Sequence, residues 1–430
     1  MPGGALDRSE TWSDDERRAA QWRRLSRALP ELLLTNVFYG RKLADAGIRD
    51  VRELRSAREL PFTTKAELST DQAEHPPFGS NLTYPVEQYV RLHQTSGTTG
   101  RPLFVLDTAE SWQWWRNSWR PIYGAAGVTS RDRIFFAFSF GPFVGFWSAF
   151  AGAEQLGALC LTGGAMSSAE RVAAIIAAEA TVLMCTPTYA LRLAEVARAE
   201  GIDIARSALR VSIHAGEPGA SIPATRERIE TELGVTSFDH TGATEIGAHG
   251  FSCEARDGVH INESDFVAEI LDPQTGETKD EGEGELVMTN LGRWGMPVLR
   301  YRTGDRVRAV RGRCFCGRTL LKLAGGIAGR VDDMLTIRGV NVFPSAIDAI
   351  VRRFAEIEEY RVEVVTVREM DELRCTVEAR GGSDLADQVA TAIHRDLGIR
   401  CAVESVAPGT LPRFDMKAKR FVRRREEARA

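Results

Sequence analysis

The chain has 430 residues, enough for two or three domains with sizeable cores, and its 55 Lys plus Arg against 59 Asp plus Glu leave a net charge of −4. An isoelectric point near 6.1 argues against broad electrostatic binding of nucleic acid, although residues 421–430, FVRRREEARA, are locally basic and read as a solvated helix end. The apolar stretches are broken by Gly, Pro or charge before a membrane span is reached, no charged-then-apolar leader follows Met1, and the seven cysteines are odd in number and irregularly spaced. A cytosolic protein with neither membrane anchor nor disulfide framework is expected.

In chain order, the first informative segment is residues 94–103, QTSGTTGRPL. It has no bulky side chain to keep a polyanion away, and its hydroxyls and N–H groups can converge on phosphate oxygens. The Gly-Lys-[Ser/Thr] ending of P-loop NTPases is missing, so it reads as a phosphate loop of another kind. Residues 135–150, FFAFSFGPFVGFWSAF, are dense in aromatics and glycine.

Between residues 132 and 238 short β-branched or aromatic runs (IFFAFSF, ALCLTGG, TVLMCTP, LRVSIHAG, VTSFDH) alternate with amphipathic helical ones (SSAERVAAIIAAEA, TYALRLAEVARAE, PATRERIETELG). That alternation predicts parallel strands with helical crossovers, whose ligands sit beyond the carboxyl ends of the strands. Two glycine-bearing segments fall at such ends, HAGEPGAS (214–221) and HTGATEIGAHG (240–250).

From residue 265 the strands DFVAEILDP, GEGELVMTNL and VLRYRTGDRVRAV predict a β-rich subdomain. The last hundred residues read as a hairpin (EEYRVEVVTVREMDELRCTVEARGG), a helix (DLADQVATAIHRDLGI) and a further strand (CAVESVAP). The fold class expected is therefore α/β: a large N-terminal domain over residues 1–331 with mixed and parallel sheets and a β-rich subdomain, and a small mobile α+β lid over residues 332–430.

QTSGTTGRPL, the HAGEP turn, TGATE, YRTGD, GRVDDMLTIRG and LPRFDMK, in this order and at these intervals, resemble the acyl-adenylating (ANL) superfamily. Within it the short chain and the segments CEARDGVH and CFCGR are most similar to phenylacetate-CoA ligases. The resemblance implies an enzyme that activates a carboxylate with ATP and Mg2+ and passes the acyl group to a thiol, usually coenzyme A. It also implies site residues. Thr95, Ser96, Gly97, Thr98, Thr99 and Gly100 would receive the triphosphate; Thr244 would hold the α-phosphate and Glu245 the magnesium. Asp305 would bind the ribose with Arg330, and Glu217 would line the adenine. Where the family carries an aromatic that stacks on adenine this chain has Thr241, so either His240 substitutes in part or the base is held differently. Lys417, five residues after Pro412, matches the lysine that meets both carboxylate and α-phosphate, although Met416 replaces the usual glycine and Lys419 stands nearby. Asp332 matches the hinge on which the lid turns, and residues 338–345 the wall of the thiol tunnel.

One reading comes from the residues themselves. Cys253, His260, Cys314 and Cys316 form a tetrahedral set suited to structural zinc, while Cys160, Cys185, Cys375 and Cys401 sit in apolar runs and read as core. The resemblance further implies that residues 135–150 enter the region of the family's acyl pocket, with Phe140, Phe143, His214, Ala215 and Thr241 as its candidate lining for a flat aromatic or medium acyl carboxylate. A carrier-protein thiol or an amine in place of CoA, a homodimer, and a nucleotide-binding relative without activity stay open as alternatives.

Overall fold

The computed structural model describes residues 6–95, 102–145, 147–331, 333–337, 340–367, 370–379, 383–414 and 418–425. Its centre is one twelve-stranded sheet that changes character halfway. The strands Leu159–Thr162, Arg133–Phe136, Val182–Cys185, Val211–His214 and Thr236–Ala243 lie parallel in that spatial order, as the alternating texture predicts. The helices Ser168–Ala177, Pro187–Ala199 and Pro223–Leu233 connect them, two of them opening with a proline whose missing N–H costs nothing at a helix start.

Thr236–Ala243 then pairs antiparallel with Gly247–Phe251, and the sheet continues antiparallel through Gly258–Ile261, Lys322–Arg330, Tyr301–Val310, Gly282–Asn290, Phe266–Leu271 and Thr278–Lys279. The predicted β-rich region is thus an extension of the same sheet, because strand-to-strand hydrogen bonding is never interrupted at residue 243. Asp305 lies inside a strand and not in a turn. Gly304 before it takes a left-handed φ of 74°, and a Cβ there would stand 2.9 Å from Arg330 Nη2.

A long helix, Ala109–Ala125, crosses the sheet and buries Trp112, Trp114, Trp115, Trp119 and Tyr123. Residues 135–136 end the strand Arg133–Phe136, residues 137–145 are irregular, and residues 147–150 open the helix Trp147–Leu156. The C-terminal unit has its own apolar core around Ile347, Ile357, Val362, Val389 and Ile393. Its four strands run in the order Cys401–Val406, Met370–Ala379, Ile357–Val367, Phe421–Arg425, with the helix Ser383–Leu397 over them. The basic tail is therefore an edge strand, parallel to Ile357–Val367, and not a helix end. Arginines at a sheet edge keep that edge soluble and unpaired, which explains the composition that suggested a solvated helix. No helix among the described residues is long and apolar enough to cross a membrane.

The N-terminal segment is clipped to the sheet by Arg300. Its guanidinium pairs Glu269 through two 2.9 Å contacts, donates at 2.7 Å to the carbonyls of Arg58 and Leu60, and lies 4.0 Å from the Phe62 ring centroid. Both side chains of the pair are buried. Removing one partner of a buried pair leaves a charge without compensation, so Glu269→Ala should cost about 3–5 kcal/mol. Denaturant unfolding followed by tryptophan fluorescence measures it, and an unchanged midpoint would show that the carbonyls alone hold Arg300.

Candidate active site

The carboxyl ends of the parallel strands and the start of the antiparallel half meet at the turn of residues 244–246. Glu245 is buried there, and Tyr301 donates its hydroxyl to Glu245 Oε1 at 3.3 Å. Burial and this carboxylate hold the Tyr301 phenol well above its usual range, so it remains a donor. Lys65, the first residue of the helix Lys65–Glu74, brings its Nζ to 3.6 Å from the same oxygen. The carbonyls on either side of Glu245 are also held: Arg293 Nη1 donates to Thr244 O at 2.5 Å, and Asn290 Nδ2 to Ile246 O at 3.2 Å. A carboxylate fixed at its backbone and side chain, with one lysine beside it, suits a hydrated divalent cation and phosphate oxygens.

Asp305 and Arg330 face each other in strand register, with Arg330 Nη1 at 3.6 Å from Asp305 Oδ1 and 3.2 Å from Thr303 O. Thr95 is buried, and its hydroxyl accepts the N–H of Leu103 at 3.0 Å, linking the two ends of the segment between them. Ser96, Gly97, Thr98, Thr99, Gly100, Asp332 and Lys417 lie outside the described residues.

Glu217 makes two contacts that the sequence did not disclose. It accepts the N–H of Thr188 at 2.9 Å and, from the C-terminal unit, the N–H of Ala418 at 3.0 Å. Arg413 adds a second tether, with Nε 3.2 Å from both carboxylate oxygens of Glu195, and Glu378 on its other side. The segment that bears Lys417 in sequence is thus anchored to the large body on both flanks.

His240 and His214 are corrected. His240 donates from Nδ1 to Gly250 O at 2.7 Å and packs its ring 4.4 Å from Trp119, inside the core and not against an adenine. Alternation along the strand points Thr241 the opposite way; its Oγ1 is buried without a hydrogen-bond partner, and a Cβ at Gly250 would lie 2.2 Å from it. His214 is fully buried, between Cys185 O at 3.2 Å and Ser212 Oγ at 2.8 Å, and burial pushes it down to about 4. It fills the sheet, where a pocket cannot reach it.

Phe140, Phe143 and Ala215 are half-buried. Phe140 meets Trp147 edge-on at 4.6 Å, Phe138 at 4.9 Å and Phe150 at 5.6 Å, an aromatic wall beside the strand ends. Asp239 was overlooked. Buried in the middle of the strand Thr236–Ala243, it receives the Ser221 hydroxyl, and burial raises it to about 6. An acid two residues before the Thr-Gly step was the available signal.

Cys253, His260, Cys314 and Cys316 converge, with all four ligand atoms within 4.8 Å of one another. Cys253 Sγ and Cys314 Sγ are 3.8 Å apart, and Cys316 Sγ is 3.6 Å from His260 Nε2. A tetrahedral ion with Zn–S near 2.3 Å and Zn–N near 2.0 Å requires separations of about 3.8 and about 3.6 Å. The hydrogen bond shared with Cys253 pushes the Cys316 thiol down and that of Cys253 up. Cys185, Cys375 and Cys401 are buried, whereas Cys160 is only half-buried.

Comparison with known proteins agrees with this geometry. A family model described as AMP-binding enzyme matches residues 37–293, and one described as AMP-binding enzyme C-terminal domain matches residues 339–425. The chain is 35% identical over 432 residues to the phenylacetate-coenzyme A ligase of Escherichia coli, covering 96% of each. Identity to the ligase of that name from Thermus thermophilus is 34% over 434 residues, 94% of this chain and 96% of that one. Crystal structures of 2-hydroxyisobutyryl-CoA ligase also superpose. Its postadenylation state with 2-HIB-AMP gives a TM-score of 0.92 at 31% identity, and its thioesterification state with 2-HIB-AMP and CoA gives 0.74 at 32%, each covering 99% of this chain and 95% of that one. With its strand-end acid, its Asp–Arg pair and its matched C-terminal unit, the chain belongs to the AMP-binding enzyme family.

Proposed function

We propose that the protein is an ATP-dependent acyl-CoA ligase acting on a carboxylic acid in two steps. A carboxylate oxygen attacks the α-phosphate of ATP, pyrophosphate leaves, and the acyl-adenylate forms; the thiol of coenzyme A then attacks the acyl carbonyl and AMP leaves. The observation that carries this reading is the hydrogen bond from Ala418 N–H to Glu217, which ties the immediate neighbour of Lys417 to the HAGEP turn at the carboxyl end of a parallel strand.

The first step brings two anions together, so positive charge must collect where they meet. Lys417 supplies one charge to the attacking carboxylate and the α-phosphate. Thr244 holds the α-phosphate, and Lys65 beside Glu245 adds a charge on the pyrophosphate side. Glu245 would hold Mg2+, which when bound spreads charge over the phosphate oxygens. Asp305 accepts from the ribose hydroxyls while Arg330 orients it. The aromatic wall of Phe140, Phe138, Trp147 and Phe150 favours a flat aromatic acid.

The C-terminal unit, hinged at Asp332, must deliver Lys417 and later leave to admit the thiol. Agreement with the postadenylation state at a TM-score of 0.92, against 0.74 for the thioesterification state, supports the arrangement seen here as the one belonging to the first step. The Cys253, His260, Cys314 and Cys316 separations support structural zinc. The loop around it is braced by the N-terminus, where Glu10 Oε1 accepts from Arg318 Nε at 2.7 Å and Glu10 O accepts the N–H of Thr319 at 3.0 Å.

Two measurements check these assignments. Lys417→Ala should abolish carboxylate-dependent ATP–pyrophosphate exchange yet largely spare thioester formation from a supplied acyl-adenylate, with Lys419→Ala as control; an equal loss in both steps would remove the lysine from its role. Metal analysis should find about one zinc per chain, and Cys316→Ser should lower thermal stability and soluble yield without changing ATP affinity in the folded fraction. Metal-free protein prepared without chelator would refute the zinc site.

A further inference from the structure

Arg413 holds two carboxylates that belong to different units. Within the C-terminal unit it grips Glu378, on the strand Met370–Ala379, with Nη1 at 2.9 Å from Oε2 and Nη2 on Oε1. The Glu378 side chain is fully buried, and it also accepts the N–H groups of Gly409 at 2.7 Å and Leu411 at 2.8 Å. These donors, all from residues 409–413, converge on one carboxylate and pin that segment to the lid sheet. Toward the body, Arg413 Nη2 lies 3.1 Å from Oε1 of Glu195, and Nε reaches both of its oxygens at 3.2 Å. Glu195 stands on the helix Pro187–Ala199 and has a second partner one helical turn back, Arg192 at 2.9 Å.

The two contacts differ in what breaking them costs. A buried carboxylate stripped of its partner is left uncompensated, so Arg413 stays with Glu378 wherever the C-terminal unit goes. The Glu195 side chain is 31% exposed and keeps Arg192, so it can release Arg413 and be solvated. A lid that turns away for the second step carries Arg413 and Glu378 off together and leaves Glu195 behind. The bridge thus belongs to the arrangement that matches the postadenylation state.

We propose that Arg413 is a positioning residue for the first step: fixed to Glu378, it latches the C-terminal unit onto the body through Glu195, and the strength of that pair sets how the protein divides between adenylation and thiol transfer. The inference rests on the two-step reading above.

The test changes only Glu195 and Arg192, which leaves the buried Glu378 compensated. Losing a partly exposed pair shifts an equilibrium by at most about 5-fold. Glu195→Gln should therefore lower carboxylate-dependent pyrophosphate exchange about 2- to 5-fold, while thioester formation from a supplied acyl-adenylate keeps its wild-type rate or rises. Glu195→Lys sets a cation against Arg413 and should deepen the same split to on the order of 10-fold. Arg192→Gln leaves Glu195 to Arg413 alone and should move the ratio of the two rates the opposite way. Raised ionic strength screens a partly exposed pair, so it should lower the wild-type ratio of exchange to thioester formation more than that of Glu195→Gln. A merely structural role would lower both rates together. Equal losses in both steps, or a wild-type ratio in folded Glu195→Lys, would overturn the latch. If the wild-type protein shows no exchange with any of a broad panel of carboxylic acids, the two-step reading falls and the latch with it; if it shows exchange that the Glu195 variants leave untouched, only the latch falls.

Discussion

The strand Thr236–Ala243 has a parallel neighbour on one side and an antiparallel one on the other, and most of the structure depends on that change of partner. A parallel strand ends where its helical crossover begins, leaving N–H groups and side chains free at the carboxyl edge. An antiparallel strand must turn back at once. At residue 243 both demands apply to one chain, and the compromise is a short turn whose carbonyls are tied by Arg293 and Asn290 while its acid faces the crevice. Polar groups arranged before a charged ligand arrives need little reorganisation during reaction, which is the main way a protein stabilises charge developing on phosphate.

Much of the fold could be read from the sequence because its signals were local. The parallel strands and their helices alternated with distinct residue spacing, and the C-terminal hairpin, helix and strand were bounded by turn residues. The tail was misread because its arginines suit an exposed helix and an exposed sheet edge equally; pairing of Phe421 with Val362 decides for the edge. Residues 135–150 concealed the helix Trp147–Leu156, since aromatic and glycine content weakens any helical pattern. The site divides in the same way. Thr244, Glu245, Asp305 and Arg330 stand in short motifs, whereas Lys65 meets Glu245 and Arg293 meets Thr244 from positions far away in sequence, where no periodicity or spacing can point. His214 and His240 misled because a histidine at a strand end has the same local surroundings whether it faces a pocket or the core.

The Cys and His cluster solves a different problem. Its residues come from two loops and a strand of the antiparallel half, and the loop from residue 311 to 321 has few apolar anchors, with Phe315 almost fully exposed. Under the zinc proposal a closed four-ligand site would hold such a loop by bonds and not by burial. The N-terminal turn Arg8–Thr11 packs over the same loop through Glu10, so the start of the chain braces the loop that carries Cys314 and Cys316.

Under the two-step reaction the contact between the C-terminal unit and the body has to be both sufficient and weak. An extensive apolar interface would hold the first arrangement permanently, and a purely solvated one would seldom deliver the lysine. Polar tethers among the described residues include Glu217 to Ala418 N–H, Arg413 to Glu195, Arg420 to Thr188, Arg228 to Ile357 O and Ser345 to Ala328 O. The one ion pair among them, Arg413 with Glu195, is partly exposed, and such a pair contributes only about 0.2–1 kcal/mol, small enough for ligand exchange to supply or remove. Arg413 also retains Glu378 and Glu358 within its own unit, and Arg420 retains Glu359. Neither guanidinium is left unpaired when the body is released, so undocking exposes no orphaned charge on that side and its cost falls mainly on Glu195 and Glu217, two carboxylates that water can solvate.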